Sequence, residues 1–285
     1  LSRNNPERLG ANMQDAGAAP PNVQQETEST FSYVVPTEFV ELPSKGKHYP
    51  PGHPLHGQQH IEVRHMTAKE EDILTSRTLL KQGVALDRVL SNIIVNKQIN
   101  IDSMLIGDKN AMIVAARVSA YGSDYRTAVT CPACSETTKY SFNLNQCDIF
   151  EGDPDNPLAV QPTENGTFLL QLPTTGVTVE FRLLTGMDEK RLVKGTEMDR
   201  KSKRGEKNVT RQLKQFVVSV NGSNNPADVN GFIENMPSMD ARQIRLAYKL
   251  TAPNVDLTQN FVCPSCDHEQ EMEVPLTADF FWPDR

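Results

Sequence analysis

Four cysteines carry the clearest chemical signal in this 285-residue chain, and they come as one phrase written twice: Cys131-Pro132-Ala133-Cys134 and Cys263-Pro264-Ser265-Cys266. Two intervening residues let both sulfurs of a pair face one point, and the proline stiffens the turn between them. Two such pairs provide the four thiolates that a tetrahedral structural zinc takes. A shell of that kind leaves no open position for water, so it predicts folding energy and not catalysis. Zinc held this way contributes on the order of 10–16 kcal/mol of folding free energy. The flanks repeat with the cysteines. A shift of 132 positions lays Val129 on Phe261, Tyr140 on Met272, Phe142 on Val274 and Leu144 on Leu276. Apolar residues after each pair recur at every second position, the period of a strand. Each copy therefore reads as a β-hairpin with two cysteines at its tip. Neither copy has a second pair of ligands nearby, and 128 residues separate Cys134 from Cys263. The spacing predicts one zinc ribbon split by a large insertion, not two sites. Two disulfides, or free buried thiols, are the competing readings of the same residues.

The other candidates for chemistry have plainer explanations. Five of the six histidines, His48, His53, His56, His60 and His65, fall in one stretch. Prolines hold the first three in an extended path and no cysteine or carboxylate cluster accompanies them, so exposed or stacking rings are expected, with a second metal site as the alternative. Glu70, Glu71 and Asp72 lie in the first turn of an expected helix, where negative charge is favourable for dipole reasons alone. The basic run Arg200-Lys201-Ser202-Lys203-Arg204-Gly205-Glu206-Lys207 has no interleaved aromatic residues for base stacking and reads as a solvated helix connection. Cys147 reads as a small buried apolar side chain. The chain contains no phosphate loop, no HExxH and no G-x-S-x-G elbow. No enzyme is expected and no catalytic residue is assigned.

Composition narrows the partners. Hydrophobic residues make up 38% of the chain, enough for a core, and no run of about 18 apolar residues predicts a membrane span. The polar start carries no apolar core of a secretory signal, and four cysteines paired for metal suit a reducing compartment. The net charge of −7 argues against a protein held on nucleic acid by phosphate contacts. The tip of the second hairpin, Asp267-His268-Glu269-Gln270-Glu271, would repel phosphate as well. A nucleic-acid-binding zinc ribbon is the rival from a different functional class.

The elements that must position the cysteines follow from pattern. Residues 1–30 are polar and aperiodic and read as a flexible arm. Residues 31–66 read as an extended, proline-rich β segment, with short strands at Phe39-Val40-Glu41-Leu42 and Ile61-Glu62-Val63-Arg64. Residues 67–124 read as a helical block. Thr67-Ala68-Lys69-Glu70 is a capping box, Gly83 a helix end, and Leu86, Val89, Leu90, Ile93 and Ile94 one face of a second helix reaching Val95. A third helix is expected from Asp108 to Gly122. Residues 125–148 and 255–278 form the split ribbon. Residues 149–254 read as an insertion: a hairpin around Pro173-Thr174-Thr175-Gly176, then helices near Met187, at Val209–Val220, Asp228–Met236 and Met239–Leu250. Residues 279–285, with Phe280-Phe281-Trp282-Pro283, form a C-terminal aromatic anchor, to the chain's own fold or to a partner. The predicted class is α+β: a helical block and β-hairpins joined by a split four-cysteine zinc ribbon with a large α/β insertion.

Three stretches carry a family resemblance. They are Leu42-Pro43-Ser44-Lys45-Gly46, the run from Ile61 through Thr67-Ala68-Lys69-Glu70-Glu71-Asp72 to Leu74, and the ending Ala278-Asp279-Phe280-Phe281-Trp282-Pro283. With Gly107-Asp108-Lys109-Asn110-Ala111 and the two cysteine hairpins, the chain from about Phe39 to Pro283 resembles the baseplate hub and hub-assembly proteins of T4-like contractile-tailed bacteriophages. The resemblance implies a non-enzymatic structural protein of the virion tail, near the hub and present in multiple copies. Its partners would be other baseplate and tail-tube proteins, without membrane or nucleic acid, and its assembly would take place in the host cytoplasm. A transient assembly chaperone of the tail is the alternative role.

Overall fold

Strands β1 (Thr37–Glu41) and β2 (His60–Arg64) pair antiparallel, with Val40 opposite Ile61. Alternation sets their faces: Val40, Ile61 and Val63 are buried while Phe39 and Glu41 face out. The computed structural model describes residues 34–153, 155–202, 207–275 and 278–281. The expected arm 1–30, residues 203–206 of the basic run, and Trp282 with Pro283 lie outside the described residues.

Helices follow where the sequence places caps. Glu70 Oε2 accepts from the Thr67 N–H at 2.9 Å and from its hydroxyl at 2.7 Å, closing the predicted box at the start of α1 (Ala68–Thr75). Ser76 breaks the expected first helix into α1 and α2 (Arg77–Lys81), and Gly83 follows at φ +67°. Helix α3 (Ala85–Ile93) stops short of Val95, because Ile94 leaves it to bridge Val63 of β2. Helix α4 (Ile106–Tyr121) ends at Gly122, φ +83°, a left-handed conformation that glycine adopts without Cβ strain. It leads directly into β3 (Asp124–Thr130) and β4 (Thr137–Asn143), the first cysteine hairpin, and then β5 (Asp148–Phe150).

A four-stranded antiparallel sheet comes next. It is built from β6 (Gln161–Pro162), β7 (Thr167–Gln171) and β8 (Thr178–Arg182), then α5 (Gly186–Lys201), α6 (Asn208–Phe216) and the last strand β9 (Val217–Val220). The expected helix through Val220 is therefore corrected: it ends at Phe216. Val217, Val218 and Val220 are β-branched, and alternate burial along Val217–Val220 lets this segment pair with β8. Helices α7 (Pro226–Asn235) and α8 (Ser238–Thr251), β10 (Asn254–Asp256), and the second cysteine hairpin, β11 (Thr258–Val262) with β12 (Glu269–Glu273), complete the order. Strand β10 returns to pair with β5. The arrangement is a mixture of helices and small hairpin sheets.

The stretch from β7 to β12 repeats the stretch from β1 to β4. Leu42-Pro43-Ser44 after β1 matches Leu172-Pro173-Thr174 after β7, and both leucines are buried. Arg64, Thr67 and Glu70 match Arg182, Thr185 and Asp188 in a second capping box, each arginine gripping the N3 carboxylate at 2.7 Å. Ile94 meets Val63, the residue before Arg64; Val217 meets Phe181, the residue before Arg182. Asp108 in α4 matches Asp240 in α8, and each stands 23 residues ahead of the first cysteine of its hairpin. Both carboxylates are wholly buried and accept from the loop that joins the strands of their own hairpin, Asp108 from Ser44 and Asp240 from Thr174 and Thr175. Each half thus clamps its hairpin loop to the helix that carries the chain into its cysteines.

The halves meet through backbone as well. Ile106 N–H donates to Leu184 O at 3.1 Å and Gly186 N–H to Met104 O at 2.9 Å. Lys109 is buried and pairs at 2.7 Å with both Asp87 and Glu189, a carboxylate from each half. Phe280 and Phe281 are buried, with Phe280 edge-on to Tyr125 at 5.0 Å. The wholly buried Arg117 holds this corner, donating to Phe280 O at 2.6 Å, Gly122 O at 2.7 Å and Asp124 O at 3.2 Å.

Candidate metal centre

The two hairpin tips are built alike. Cys131 N–H donates to Glu136 O at 2.9 Å and Ser135 N–H to Cys131 O at 2.8 Å; Cys263 N–H donates to His268 O at 2.9 Å and Asp267 N–H to Cys263 O at 3.0 Å. Ser135 and Asp267, the residues just past the second cysteine, stand at φ +60° and +56°. That left-handed step reverses the chain after the sulfurs have been turned the same way, and short polar side chains tolerate it better than bulky ones.

The tertiary structure brings all four sulfurs together. Cys131, Cys134, Cys263 and Cys266 place their Sγ atoms within 4.8 Å of one another. Cys131–Cys266 and Cys134–Cys263 stand at 3.8 Å. A tetrahedron with zinc–sulfur bonds of about 2.3 Å has an edge of about 3.8 Å, whereas a disulfide needs about 2.05 Å. The donor set and its spacing fit a closed tetrahedral metal site, and all five cysteines are free. Cys131 and Cys263 are buried; Cys134 and Cys266 are exposed.

Contacts between the hairpins add to the register of the cluster. Gln259 clasps the backbone of Asn143 from both sides, accepting from its N–H at 3.2 Å and donating to its carbonyl at 2.8 Å. Tyr140 lies edge-on to Phe261 at 4.9 Å, and its hydroxyl donates to Asn260 O at 3.3 Å. Backbone N–H groups of Cys134 and Ala133 turn toward the Cys131 sulfur and hold its thiol down to about 6. At Cys266 the His268 N–H favours the thiolate, but desolvation and the three neighbouring sulfurs outweigh it and push the thiol up to about 12.

The remaining candidates do not join this site. His53 stacks on Tyr49 at 4.5 Å with Nε2 at 2.9 Å from Ser103 Oγ, and His48 leans on Phe168 at 5.3 Å. Among the described residues the four cysteines form the one group of three or more side chains able to hold a metal. Glu70 is committed to Arg64, and Glu71 accepts from the Tyr121 hydroxyl at 3.0 Å. Arg200 and Lys201 close the last turn of α5, where a cation suits the helix dipole. Cys147 is half-buried against the core, and desolvation pushes its thiol up. The sequence leads one to expect Asp108 as a helix opener and assigns no role to Asp240. Their signal was present: the shift that superposes the cysteines also superposes the two aspartates, each with a Leu-Pro-Ser/Thr loop upstream.

Fold and site together define a mixed α/β structural block of two like halves, with a cysteine cluster at their junction. A family model described as T4 bacteriophage base plate protein matches residues 35–282, and the chain belongs to that family. It is accordingly a phage baseplate protein, with a structural role in the virion tail and other baseplate proteins as its partners. No curated protein and no solved structure matches the chain.

Proposed function

We propose that this chain is a zinc-clamped structural subunit of a contractile-tail baseplate, placed near the hub. The observation that carries the metal is the meeting of four sulfurs from distant stretches of sequence within 4.8 Å, at tetrahedral-edge spacing. Cys131, Cys134, Cys263 and Cys266 would hold one zinc ion, whose chemistry here is structural. Residues 125–148 and 255–278 then act as one split ribbon. It locks the helical block 67–124 to the segment 149–254, so that the surfaces presented to neighbouring subunits keep a fixed geometry. Phe280, in the terminal segment 279–285, packs beside it against Tyr125. The place near the hub is supported by the resemblance of the sequence to hub proteins.

Metal analysis of the purified chain, with a thiol count, tests this reading. One zinc per chain is expected. Chelation should lower the thermal midpoint, as should replacing the exposed pair (Cys134→Ser with Cys266→Ser). Reduced cysteines with no bound zinc, or a melting curve indifferent to chelator, would overturn the clamp. Density for the subunit at the outer rim of an imaged tail end would overturn the placement near the hub.

A further inference from the structure

The two like halves differ at one edge. In the second half the outward edge of β7 is covered: β6 lies against it with Gln161 opposite Leu169 and Pro162 opposite Phe168. Superposing the Leu-Pro loops makes Phe39 of β1 the counterpart of Leu169. Among the described residues no strand covers β1, whose sheet has only two strands. Leu42 N–H donates to Gln59 O and His65 N–H to Pro36 O. With the β1–β2 register, those bonds turn residues 36, 38, 40 and 42 toward β2. The N–H and C=O groups of Thr37, Phe39 and Glu41 therefore point to the open side. Phe39 is 71% exposed on the solvent face above them. An uncovered strand with an exposed aromatic and no proline is a template for another strand.

We propose that this edge pairs with the same edge of a second copy of the chain, antiparallel about a twofold axis centred on Phe39. That centre uses all of the available groups. Phe39 faces Phe39 of the second copy and Thr37 faces Glu41, so the three residues with outward N–H and C=O groups meet one another and form six backbone hydrogen bonds. Side chains agree with this register. The solvent face pairs Phe with Phe and Thr with Glu, and the inner face pairs Glu38 with Val40, so no two glutamates stand opposite one another. The result is a four-stranded sheet, β2-β1-β1-β2, with the strand count that the second half reaches within one chain. The interface is isologous and covers the open edge of β1 in both copies.

Light scattering or sedimentation over a concentration series tests the pairing on the full chain. The wild type should rise from the mass of one chain toward twice that mass. Two variants probe the centre. Phe39→Pro removes the central N–H, which faces away from β2 and is not used by the fold. Phe39→Lys changes only an exposed side chain and sets two cations face to face. Both should weaken association by about tenfold or more while circular dichroism stays unchanged, since a central hydrogen-bonded pair is lost or opposed. A wild type that stays at the mass of one chain, including one whose β1 is taken up by a different baseplate protein, would overturn the proposal. So would self-association unaffected in both variants.

Discussion

Asp108 and Asp240 occupy matching positions, yet replacing each with asparagine should have very different consequences. Asp240 Oδ1 accepts from the Thr174 N–H at 2.9 Å; Oδ2 accepts from the Thr175 N–H at 3.1 Å and from its hydroxyl at 2.8 Å. Each oxygen therefore faces a backbone donor that cannot turn round. The amide nitrogen of Asp240→Asn would oppose a buried N–H in either orientation. One charge-assisted bond is lost and one donor orphaned, which together cost about 3–5 kcal/mol. Asp108 differs in who donates. Its Oδ1 accepts from the Ser44 N–H at 2.9 Å, but Oδ2 receives only hydroxyls, Ser44 Oγ at 2.6 Å and Tyr49 Oη at 2.7 Å. Hydroxyls rotate and can accept. Asp108→Asn can keep the Ser44 N–H bond and donate to Ser44 Oγ, leaving at most the Tyr49 hydroxyl, which already accepts the Leu105 N–H at 3.0 Å, in need of a new acceptor. Its charge is also less of a loss, because desolvation already pushes the Asp108 carboxyl up against the bonds that favour ionisation, whereas at Asp240 the backbone and hydroxyl donors outweigh desolvation and hold the carboxyl down. A cost of about 1–2 kcal/mol is expected for Asp108→Asn. Urea unfolding at pH 7 with zinc held constant, followed by far-UV circular dichroism, measures both. A difference between the variants below about 0.5 kcal/mol, within the usual additivity error, would refute the donor geometry. The reverse order would refute it outright.

Three further substitutions have definite outcomes. Desolvation pushes the Glu70 carboxyl up, but Arg64 and Thr67 outweigh it and hold it down to about 2. A depressed carboxyl contributes stability that is present above its unfolded value of about 4.3 and lost as pH falls toward 2; urea midpoints across that window should slope less in Glu70→Gln than in the wild type, and equal slopes would count against the Arg64–Glu70 pair. A Cβ at Gly107 would run into the Pro253 carbonyl, while one at Gly231 of α7 meets nothing within 4 Å; Gly107→Ala should cost on the order of 3 kcal/mol and Gly231→Ala should gain about 0.5–1 kcal/mol, read from thermal or urea unfolding.

Local signals read well here. The Thr67–Glu70 box, the strand alternation at Ile61–Arg64, the hairpin around Pro173–Gly176 and the helices of residues 226–235 and 238–251 are each decided within a few residues, so the sequence shows them. The stretch Val217–Val220 read as helix because Leu213, Phe216 and Val220 keep helical spacing; pairing with β8 overrode it, and no local pattern reports a strand waiting 35 residues upstream. The second capping box becomes legible only when its strand, Thr178–Arg182, is compared with His60–Arg64. Matched against Arg64-x-x-Thr67-x-x-Glu70, the run Arg182-x-x-Thr185-x-x-Asp188 shows it at once.

The sequence by itself determined that two cysteine pairs exist, that each sits in a turn stiffened by proline, and that both sulfurs of a pair can face one way, since those are properties of four consecutive residues. The tertiary structure decided that the pairs converge, through the Gln259–Asn143 clasp and the Tyr140–Phe261 contact between hairpins more than a hundred residues apart. It also decided that two aspartates on helix starts became buried clamps. Burial and partner choice depend on what a distant segment brings, and a loop that donates N–H groups to a carboxylate is visible only once the chain has folded back onto it.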